Sequence, residues 1–193
     1  MNKLIEMQKN VKAMVRKHEN NLIKLNVEVF RSIDGYDNYA VSTFGRVKNV
    51  ITGIILKAGL GKRGYFIVVL SDKEHRRKTR NIHRLVINAF IDNPNDKKCV
   101  DHKDNNRTNN RLTNLRWATT KENAMNQIIS KNNTSGTKGI SWHKQTKKWR
   151  ARINIDGIEI YIGLFDNLED AKIARINRAN QAFGVYTNAC EKL

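Results

Sequence analysis

The sequence predicts an α+β fold built from small units, and three observations carry this prediction. The 193 residues change in texture along the chain, from a helical repeat at the N-terminus, to short β-prone runs between turns, to a last segment of alternating strands with one helix. Hydrophobic residues make up 39% of the chain, which is enough for modest cores. No run of eighteen apolar residues occurs, so no membrane partner is expected.

The first part of the chain predicts one helix followed by strands, turns and a second helix. Residues 1–26 carry apolar side chains near heptad spacing, which favours a basic amphipathic helix packed on the body, with a short coiled coil as the alternative. The following residues, 27–82, are strands and turns, with a strongly β-prone run at Tyr65–Leu70. The run His83–Phe90 predicts a short helix, which Pro94 helps to end.

The middle of the chain predicts two strands joined to a helix by polar loops. Val100 to His102 can end a strand, and Leu115 to Ala118 forms a second one. Thr119 with Glu122 makes a capping-box pattern, so a helix starts there. This β-loop-β-α arrangement can bring the end of the first strand and the first helical turn together around one ion.

Three residues of this unit suit the hydrolysis of a phosphodiester. A neutral histidine such as His102 can take the proton of a water near neutral pH. A hard cation such as Mg²⁺ prefers a few oxygen ligands, and Asp101 offers a carboxylate while Asn123 offers an amide oxygen. Asp-His pairs and Asn-rich loops are more often plain surface turns, so spacing alone leaves a solvated loop as the alternative.

The motif spacing adds a resemblance to a known family. Asp101-His102, Asn114 twelve residues beyond the histidine, and Asn123 nine further resemble the HNH nucleases of phage homing endonucleases. The string Asn-Asn-Arg-Leu-Thr-Asn-Leu-Arg-Trp that ends at Trp117 is specific to this resemblance, and the upstream residues resemble the NUMOD4 module that precedes such cores. The likeness covers residues 28–128.

The resemblance implies a ββα-metal fold and a role for each motif residue. His102 would be the general base that activates water, and Asp101 with Asn123 would hold one divalent ion, Mg²⁺ or another such as Mn²⁺. Asn114 would orient the active-site loop and His102. Many HNH enzymes carry histidine where Asn123 stands, and we interpret the asparagine as a subtype of the family.

The last segment predicts a small sheet with one helix. Between 149 and 155, apolar residues alternate with Arg150, Arg152 and Asn154, so one face of the strand is cationic and polar. A hairpin turn follows, and then a helix from 168 to 183 that is capped by Asn167 and stopped by Gly184. Its alanines could lie close on the apolar face of the sheet. A cationic sheet can enter a DNA major groove, where arginine reads guanine, although exposed arginine more often serves only solubility.

This segment is also similar to an AP2 DNA-binding domain, through Lys138-Gly139-Ile140, Lys148-Trp149 and Ile162 to Asp166. The resemblance implies a three-stranded sheet with one helix, whose sheet face lies against DNA. The residues it implicates in DNA binding are Lys138, Arg150, Arg152, Asn154 and Tyr161. The arginines of the first strand in plant members are absent here, so the target sequence cannot be transferred.

Charge and cysteine usage favour the same class of partner. Thirty-six Lys and Arg against eighteen Asp and Glu give a net charge of +18, and such an excess favours a polyanion. A ribosomal or membrane-surface protein would show the same excess. The two cysteines, Cys99 and Cys190, lie far apart, which argues against a disulfide scaffold or a zinc site and fits a reducing cytosol.

Together these patterns predict a homing-type HNH endonuclease that acts on double-stranded DNA as a monomer. The expected setting is the cytoplasm of a bacterial host, with the gene on a phage or mobile element. A DNA-binding regulator with a decayed nuclease core and a ribosomal-type RNA-binding protein remain the alternatives. The predicted segments are a basic helix at 1–26, a NUMOD4-like module at 27–82, the nuclease core at 83–130, a linker at 131–137 and an AP2-like domain at 138–189.

Overall fold

The computed structural model describes residues 2–127, 129 and 132–188, and it divides the chain into two units. The first unit comprises the chain up to Pro94 together with Arg107–Leu115, and the second comprises Asn95–Asn106 together with the residues from Arg116 onward. These units follow a different division from the predicted segments, whose boundaries stay predictions. Four of the predicted boundaries, at residues 1, 130, 131 and 189, lie outside the described residues, as does Cys190.

Two small antiparallel sheets and two helices make up the first unit. In chain order its elements are α1 (Asn2–Lys24), β1 (Phe30–Ile33), β2 (Tyr36–Ser42), β3 (Val47–Asn49), β4 (Gly59–Leu60), β5 (Phe66–Ser71), β6 (Arg77–Asn81) and α2 (Ile82–Phe90). The sheets have the orders β1-β2-β3 and β4-β5-β6, and α2 contacts both of them. Their shared core includes the fully buried side chains of Val41, Val47, Leu70, Val86 and Ile87.

Gly45 shows how tightly a loop of this unit is packed. Its φ is +82°, a conformation that side chains rarely adopt. A Cβ at this position would lie 2.8 Å from the Cβ of Asn110, so a larger residue would force the two loops apart. The backbone of Leu112 also donates to the carbonyl oxygen of Thr43 at 2.8 Å. The stretch 107–115 is therefore fixed to the β2–β3 turn.

Helix α1 differs from its prediction. The sequence favours an amphipathic helix packed on the body, yet Met7, Val11 and Met14 are exposed, Met14 to 74%. Its last turns are attached through Glu19, whose Oε2 accepts from Nε and Nη2 of Arg31 at 2.9 and 2.6 Å. The prediction that this helix packs on the body is therefore wrong for its first turns. Heptad spacing shows that a helix has an apolar face, but it does not show which part of the chain covers that face.

The second unit contains the predicted β-loop-β-α arrangement and the predicted sheet with its helix. Its elements are β7 (Cys99–His102), β8 (Leu115–Ala118), which begins at the last residue of the first unit, α3 (Thr120–Met125), β9 (Ile140–His143), β10 (Lys148–Ile155), β11 (Ile158–Phe165) and α4 (Leu168–Phe183). Strands β7 and β8 pair, and a separate antiparallel sheet has the order β11-β10-β9. The helix starts that the sequence predicts at Thr119 and Asn167 are both present.

Alanines allow α4 to lie close on the sheet. Ala171 and Ala179 are completely buried, and Ala171 shares a core with Ile140 and Ala151 of the strands. Asn167 caps the helix by accepting from the backbone nitrogen of Asp170 at 2.8 Å. These features confirm the sheet-and-helix arrangement, whereas the AP2 likeness itself stays a prediction. No helix among the described residues is long and apolar enough to cross a bilayer.

Candidate active site

Strand β7 ends in the two residues expected to carry the chemistry. Asp101 and His102 are 3% and 5% exposed, so both belong to the buried part of the second unit. A buried carboxylate requires compensating donors, because the charge loses its hydration on burial. The surroundings of Asp101 supply these donors from the neighbouring strand and from the end of helix α3.

Both oxygens of the Asp101 carboxylate are held by donors. Its Oδ2 accepts from Nε of Arg116 at 2.6 Å and from Nη2 of the same guanidinium at 2.5 Å. Its Oδ1 accepts from Nδ2 of Asn126 at 2.9 Å. Strand β8 presents Arg116 beside β7, since the two strands pair. Charge-assisted hydrogen bonds of this kind fix a carboxylate in one orientation.

Asn126 is the site residue that sequence reasoning missed. It is 1% exposed and follows directly after α3. Its Nδ2 donates to the carbonyl oxygen of His102 at 2.9 Å as well as to Asp101, so one amide holds both residues at the end of β7. The signal that could have found it is the spacing of three from Asn123, which places the two asparagines one helical turn apart.

Helix α3 carries Asn123 and packs against strand β7. The backbone nitrogen of Asn123 donates to the carbonyl oxygen of Thr119 at 3.0 Å, which places the residue in the first part of the helix, and α3 packs against β7. The helix start is fixed by a complete capping box, in which Thr119 Oγ1 accepts from the nitrogen of Glu122 at 3.1 Å. The contacts of the strand end are made by Asn126 at the end of this helix, and the meeting of Asn123 with Asp101 around an ion stays a prediction.

The capping residue Glu122 also forms an ion pair with Lys97, at 2.8 Å. Burial raises the pKa of Glu122, but hydrogen bonds from Lys97 and Thr119 outweigh this effect, so the pKa lies below its ordinary value. The hydrogen bond to Glu122 is the main reason why the pKa of Lys97 is raised, and Tyr186 adds to the effect. This pair ties the start of α3 to the segment that leads into β7.

Asn114 belongs to the first unit. It ends the 3-10 turn Leu112–Asn114, is almost fully buried, and donates from Nδ2 to the carbonyl oxygen of Asn109 at 2.9 Å. This hydrogen bond closes the loop before β8. The role expected for Asn114, which is to orient the active-site loop and His102, stays a prediction.

The donor set fits a hard divalent cation. The structure's described residues contain no group of three or more His, Cys, Asp and Glu side chains that could hold a metal. Mg²⁺ keeps several waters and commonly takes one or two protein oxygens together with substrate phosphates. An ionised carboxylate has about four acceptor sites, so Asp101 retains capacity beyond its bonds to Arg116 and Asn126. Asp101 and Asn123 are oxygen donors of the required kind.

The residues expected to bind DNA lie mostly on the polar face of the second sheet. Arg150, Arg152 and Asn154 alternate along β10, and Tyr161 is the β11 partner of Arg152 and is exposed. Arg152 is not a simple exposed cation, because its Nη1 donates to both carboxylate oxygens of Glu159 at 2.9 and 3.0 Å. The face is therefore basic with one acidic partner.

Lys138 links the Asn154 end of this face to helix α3. Its Nζ donates to the carbonyl oxygen of Met125 at 3.2 Å, at the C-terminal end of α3. It also lines a cavity of about 460 Å³ together with Lys121, Asn154 and Arg175. The structure thus places Lys138 beside the helix of the nuclease core, which the sequence pattern could not indicate.

Comparisons with known proteins point to one family. The model of the HNH endonuclease family matches residues 80–125, and the model of the NUMOD4 motif matches residues 28–71. The DNA endonuclease I-HmuI of Bacillus phage SP01 is 38% identical over 136 residues, which are 67% of this chain and 75% of I-HmuI. The uncharacterised HNH endonuclease L245 of Acanthamoeba polyphaga mimivirus is 35% identical over 145 residues, 75% of this chain. The chain spans only 40% of that relative's length.

Among solved structures, one described as DNA binding and cleavage by the HNH homing endonuclease I-HmuI matches 69% of this chain and 76% of its own. The sequence identity is 34% and the TM-score is 0.49.

Proposed function

The chain belongs to the family of HNH homing endonucleases that includes I-HmuI, and from this premise we propose that it is a metal-dependent endonuclease that hydrolyses phosphodiester bonds in double-stranded DNA. The observation that carries the proposal is the buried pair Asp101-His102 at the end of β7, packed against the helix that bears Asn123. A ribosomal-type RNA-binding protein has no use for this arrangement.

His102 acts in the proposed reaction as the general base. A neutral imidazole takes a proton from the attacking water, and its position must be fixed for the transfer to be efficient. The hydrogen bond from Asn126 to the His102 carbonyl oxygen fixes the backbone that carries the imidazole. Asn114 closes the preceding loop through Asn109 and is proposed to orient the histidine.

Asp101 and Asn123 hold the divalent ion in this proposal, with Mg²⁺ or Mn²⁺ as the ion. When bound, the ion supplies positive charge that stabilises the leaving 3′ oxygen. Asp101 is already oriented by Arg116 and Asn126, so little reorganisation is needed when its carboxylate becomes a ligand. Residues that hold a ligating carboxylate in this way commonly govern metal affinity.

The AP2-like sheet is proposed to bind the DNA backbone and groove through Lys138, Arg150, Arg152, Asn154 and Tyr161. What supports this is the polar face of β10 and the +18 net charge of the chain. We also propose that the protein acts as a monomer in the cytoplasm of a bacterial host and is encoded by a phage or mobile element. The phage origin of I-HmuI supports the last point.

The rival function is a DNA-binding regulator whose nuclease core has decayed. Decay would be expected to release the buried polar residues from selection, yet Asp101 is held by donors on both oxygens and the capping box of α3 is complete. A buried carboxylate with no function would be costly to keep.

The test is cleavage of supercoiled plasmid by the full chain. With Mg²⁺ we expect conversion to nicked or linear DNA, and with EDTA we expect only binding. The control is His102→Ala, which should bind the plasmid and leave it intact. Binding without cleavage by the unaltered protein, at every divalent ion tried and with target DNA from the host element, would support the regulator instead.

A further inference from the structure

The segment that follows helix α4, Gly184–Asn188, lies against the residues that hold Asp101. The ring of Tyr186 stacks on the guanidinium of Arg116 with 4.3 Å between the guanidinium carbon and the ring centroid, and Nη1 of Arg116 donates to the carbonyl oxygen of Val185. The hydroxyl of Tyr186 donates to the carbonyl oxygen of Trp117 at 3.0 Å. The guanidinium is thereby held between Asp101 on one side and this segment on the other.

The same segment holds the second donor to Asp101. Asn188, itself buried, donates from Nδ2 to the carbonyl oxygen of Asn126 at 2.6 Å and to the carbonyl oxygen of Gln127 at 3.1 Å. It also approaches Oδ1 of Asn126 to 3.3 Å. With Asn188 as a donor, the Asn126 amide oxygen faces this segment and its nitrogen faces Asp101 and the His102 carbonyl oxygen.

We propose that Gly184–Asn188 is an active-site clamp in which Tyr186 and Asn188 are positioning residues for the metal-binding carboxylate of Asp101. Tyr186 acts through Arg116 and Asn188 acts through Asn126, so each oxygen of Asp101 is controlled by a different residue of the clamp. The inference rests on the proposed function and extends it, because it gives the C-terminal module a part in the nuclease site besides any contact with DNA.

The clamp matters because it restricts the two donors to Asp101. The Asn126 amide also donates to the His102 carbonyl oxygen and accepts from Nδ2 of Asn105 at 3.4 Å, but Asn188 adds a donor to its backbone and one to its amide oxygen. Without Asn188, the Asn126 amide is held less firmly beside Oδ1 of Asp101. A guanidinium that loses its aromatic partner gains freedom to leave Oδ2. Either change leaves the carboxylate buried and less firmly oriented, which lowers its affinity for a cation.

A merely structural role would give a different result. If the segment only secured the end of α4, its loss would lower the free energy of unfolding and leave metal affinity unchanged in the molecules that remain folded. Metal affinity and the rate of the cleavage step at saturating DNA are therefore the two measurements that separate positioning from support.

The experiment uses the full chain with Asn188→Ala, Tyr186→Ala and Tyr186→Phe. Mn²⁺ affinity is measured by electron paramagnetic resonance, single-turnover cleavage is measured at saturating DNA, and DNA affinity is measured in Ca²⁺. We expect Asn188→Ala and Tyr186→Ala to lower Mn²⁺ affinity and cleavage rate by about 10- to 100-fold, as removal of residues that support metal ligands commonly does. DNA affinity should change less than about twofold, and added Mn²⁺ should restore part of the rate.

Tyr186→Phe separates the ring from the hydroxyl. It keeps the ring over Arg116 and loses two hydrogen bonds of the hydroxyl, the one donated to the Trp117 carbonyl oxygen and the one accepted from Nζ of Lys97 at 2.9 Å. Its effect should therefore be smaller than that of Tyr186→Ala. The matched control is Asn177→Ala on the exposed side of α4, which should behave as the unaltered protein does. If Asn188→Ala does not fold, Tyr186→Ala at its half-buried position decides alone.

The outcomes are distinct. Unaltered protein that binds Mn²⁺ and DNA but never cleaves contradicts the proposed function. Cleavage by the unaltered protein, combined with unchanged Mn²⁺ affinity and unchanged rate in folded Tyr186→Ala and Asn188→Ala, overturns the clamp and leaves the proposed function standing.

Discussion

At the scale of single residues, the site is organised around one buried carboxylate and one imidazole. Asp101 is bound by Arg116 and Asn126, and Asn126 also binds the carbonyl oxygen of His102. The residues proposed to bind the metal and to accept the proton are thus held by a common neighbour. The proposed roles of the two residues differ, so substitution of His102 and substitution of Asp101 should change different measurements.

For His102→Ala we expect DNA cleavage to fall by about 10²- to 10⁴-fold, because a general base contributes to the barrier of the chemical step. DNA affinity should be nearly unchanged, since the base adds little to ground-state binding. Single-turnover cleavage and fluorescence anisotropy with labelled duplex check the two expectations. The control is His75→Asn, at an exposed turn position with φ of +60° that asparagine tolerates. A wild-type cleavage rate in His102→Ala would remove the histidine from the mechanism.

For Asp101→Asn and Asn123→Ala we expect the Mg²⁺ concentration at half-maximal rate to rise by at least about tenfold. Loss of a residue that merely supports a ligand commonly costs 10- to 100-fold, so loss of a ligand should cost no less. Asp101→Asn should also destabilise the fold, because the guanidinium of Arg116 would keep its buried position without a charged partner. If both variants reach full rate at the wild-type Mg²⁺ concentration, other residues bind the ion.

At the scale of elements, what could be predicted follows from how local each signal is. The capping box at Thr119, the cap at Asn167 and the helix end at Gly184 need only a few consecutive residues, and all three are confirmed. The pairing of β7 with β8 and the position of Asn123 on α3 follow from the motif spacing and are confirmed as well.

What could not be predicted depends on contacts between distant parts of the chain. Asn126 meets Asp101 across 25 residues, and Asn188 meets Asn126 across 62, so neither contact leaves a periodic trace in the sequence. The exposed apolar face of α1 was missed for a related reason. The heptad spacing shows that the helix has an apolar face, but no local pattern shows whether another part of the chain covers it. The sequence therefore predicts the motif residues of the site but not the residues that hold them in place.

The ion pair of Lys97 and Glu122 makes the start of α3 sensitive to acid. Because the pKa of Glu122 is lowered in the folded state, its contribution to stability is present above the unfolded value of about 4.3 and is lost as the pH falls through the lowered pKa. The raised pKa of Lys97 gives the opposite sign, with a contribution lost only as the pH rises through that raised value, far above neutrality.

Glu122→Gln should accordingly flatten the acid side of the stability curve. We expect the variant to be less stable than the unaltered protein near neutral pH and the difference to shrink below about pH 4. Urea unfolding between pH 3 and 7 measures this, with the exposed Glu169→Gln as the matched control. A difference that stays constant across this range would contradict the assigned pKa direction.

At the scale of the whole molecule, the +18 charge predicts steep salt dependence of DNA binding. If on the order of six to ten phosphates are neutralised, the logarithm of the binding constant should fall against the logarithm of salt concentration with a slope of about −5 to −9. Fluorescence anisotropy titrations at KCl concentrations from about 50 to about 300 mM measure this slope. A slope near zero would mean that the charge serves a partner other than DNA.

The second sheet makes a sharper prediction, because one cation on its polar face is neutralised. Arg152 is paired with Glu159, whereas Arg150 lies on the same face two residues earlier. If this face meets DNA, Glu159 repels phosphate and occupies Arg152. Glu159→Gln should therefore tighten binding to random duplex, while Arg150→Ala and Arg152→Ala should weaken it.

The size and sequence dependence of these changes identify the contact. If an arginine reads a guanine edge, its removal should cost about 1–3 kcal/mol of binding free energy at the cognate site and less on other duplexes. If it touches phosphate, its removal should weaken binding equally on every duplex and reduce the salt slope by about one. Arg152→Ala should weaken binding on every duplex as well, because it leaves the Glu159 carboxylate without its cation on this face. If Glu159→Gln and both arginine variants bind cognate and random duplexes as the unaltered protein does, the polar face of β10 is a solvated surface. The charge of the first unit must then account for DNA binding.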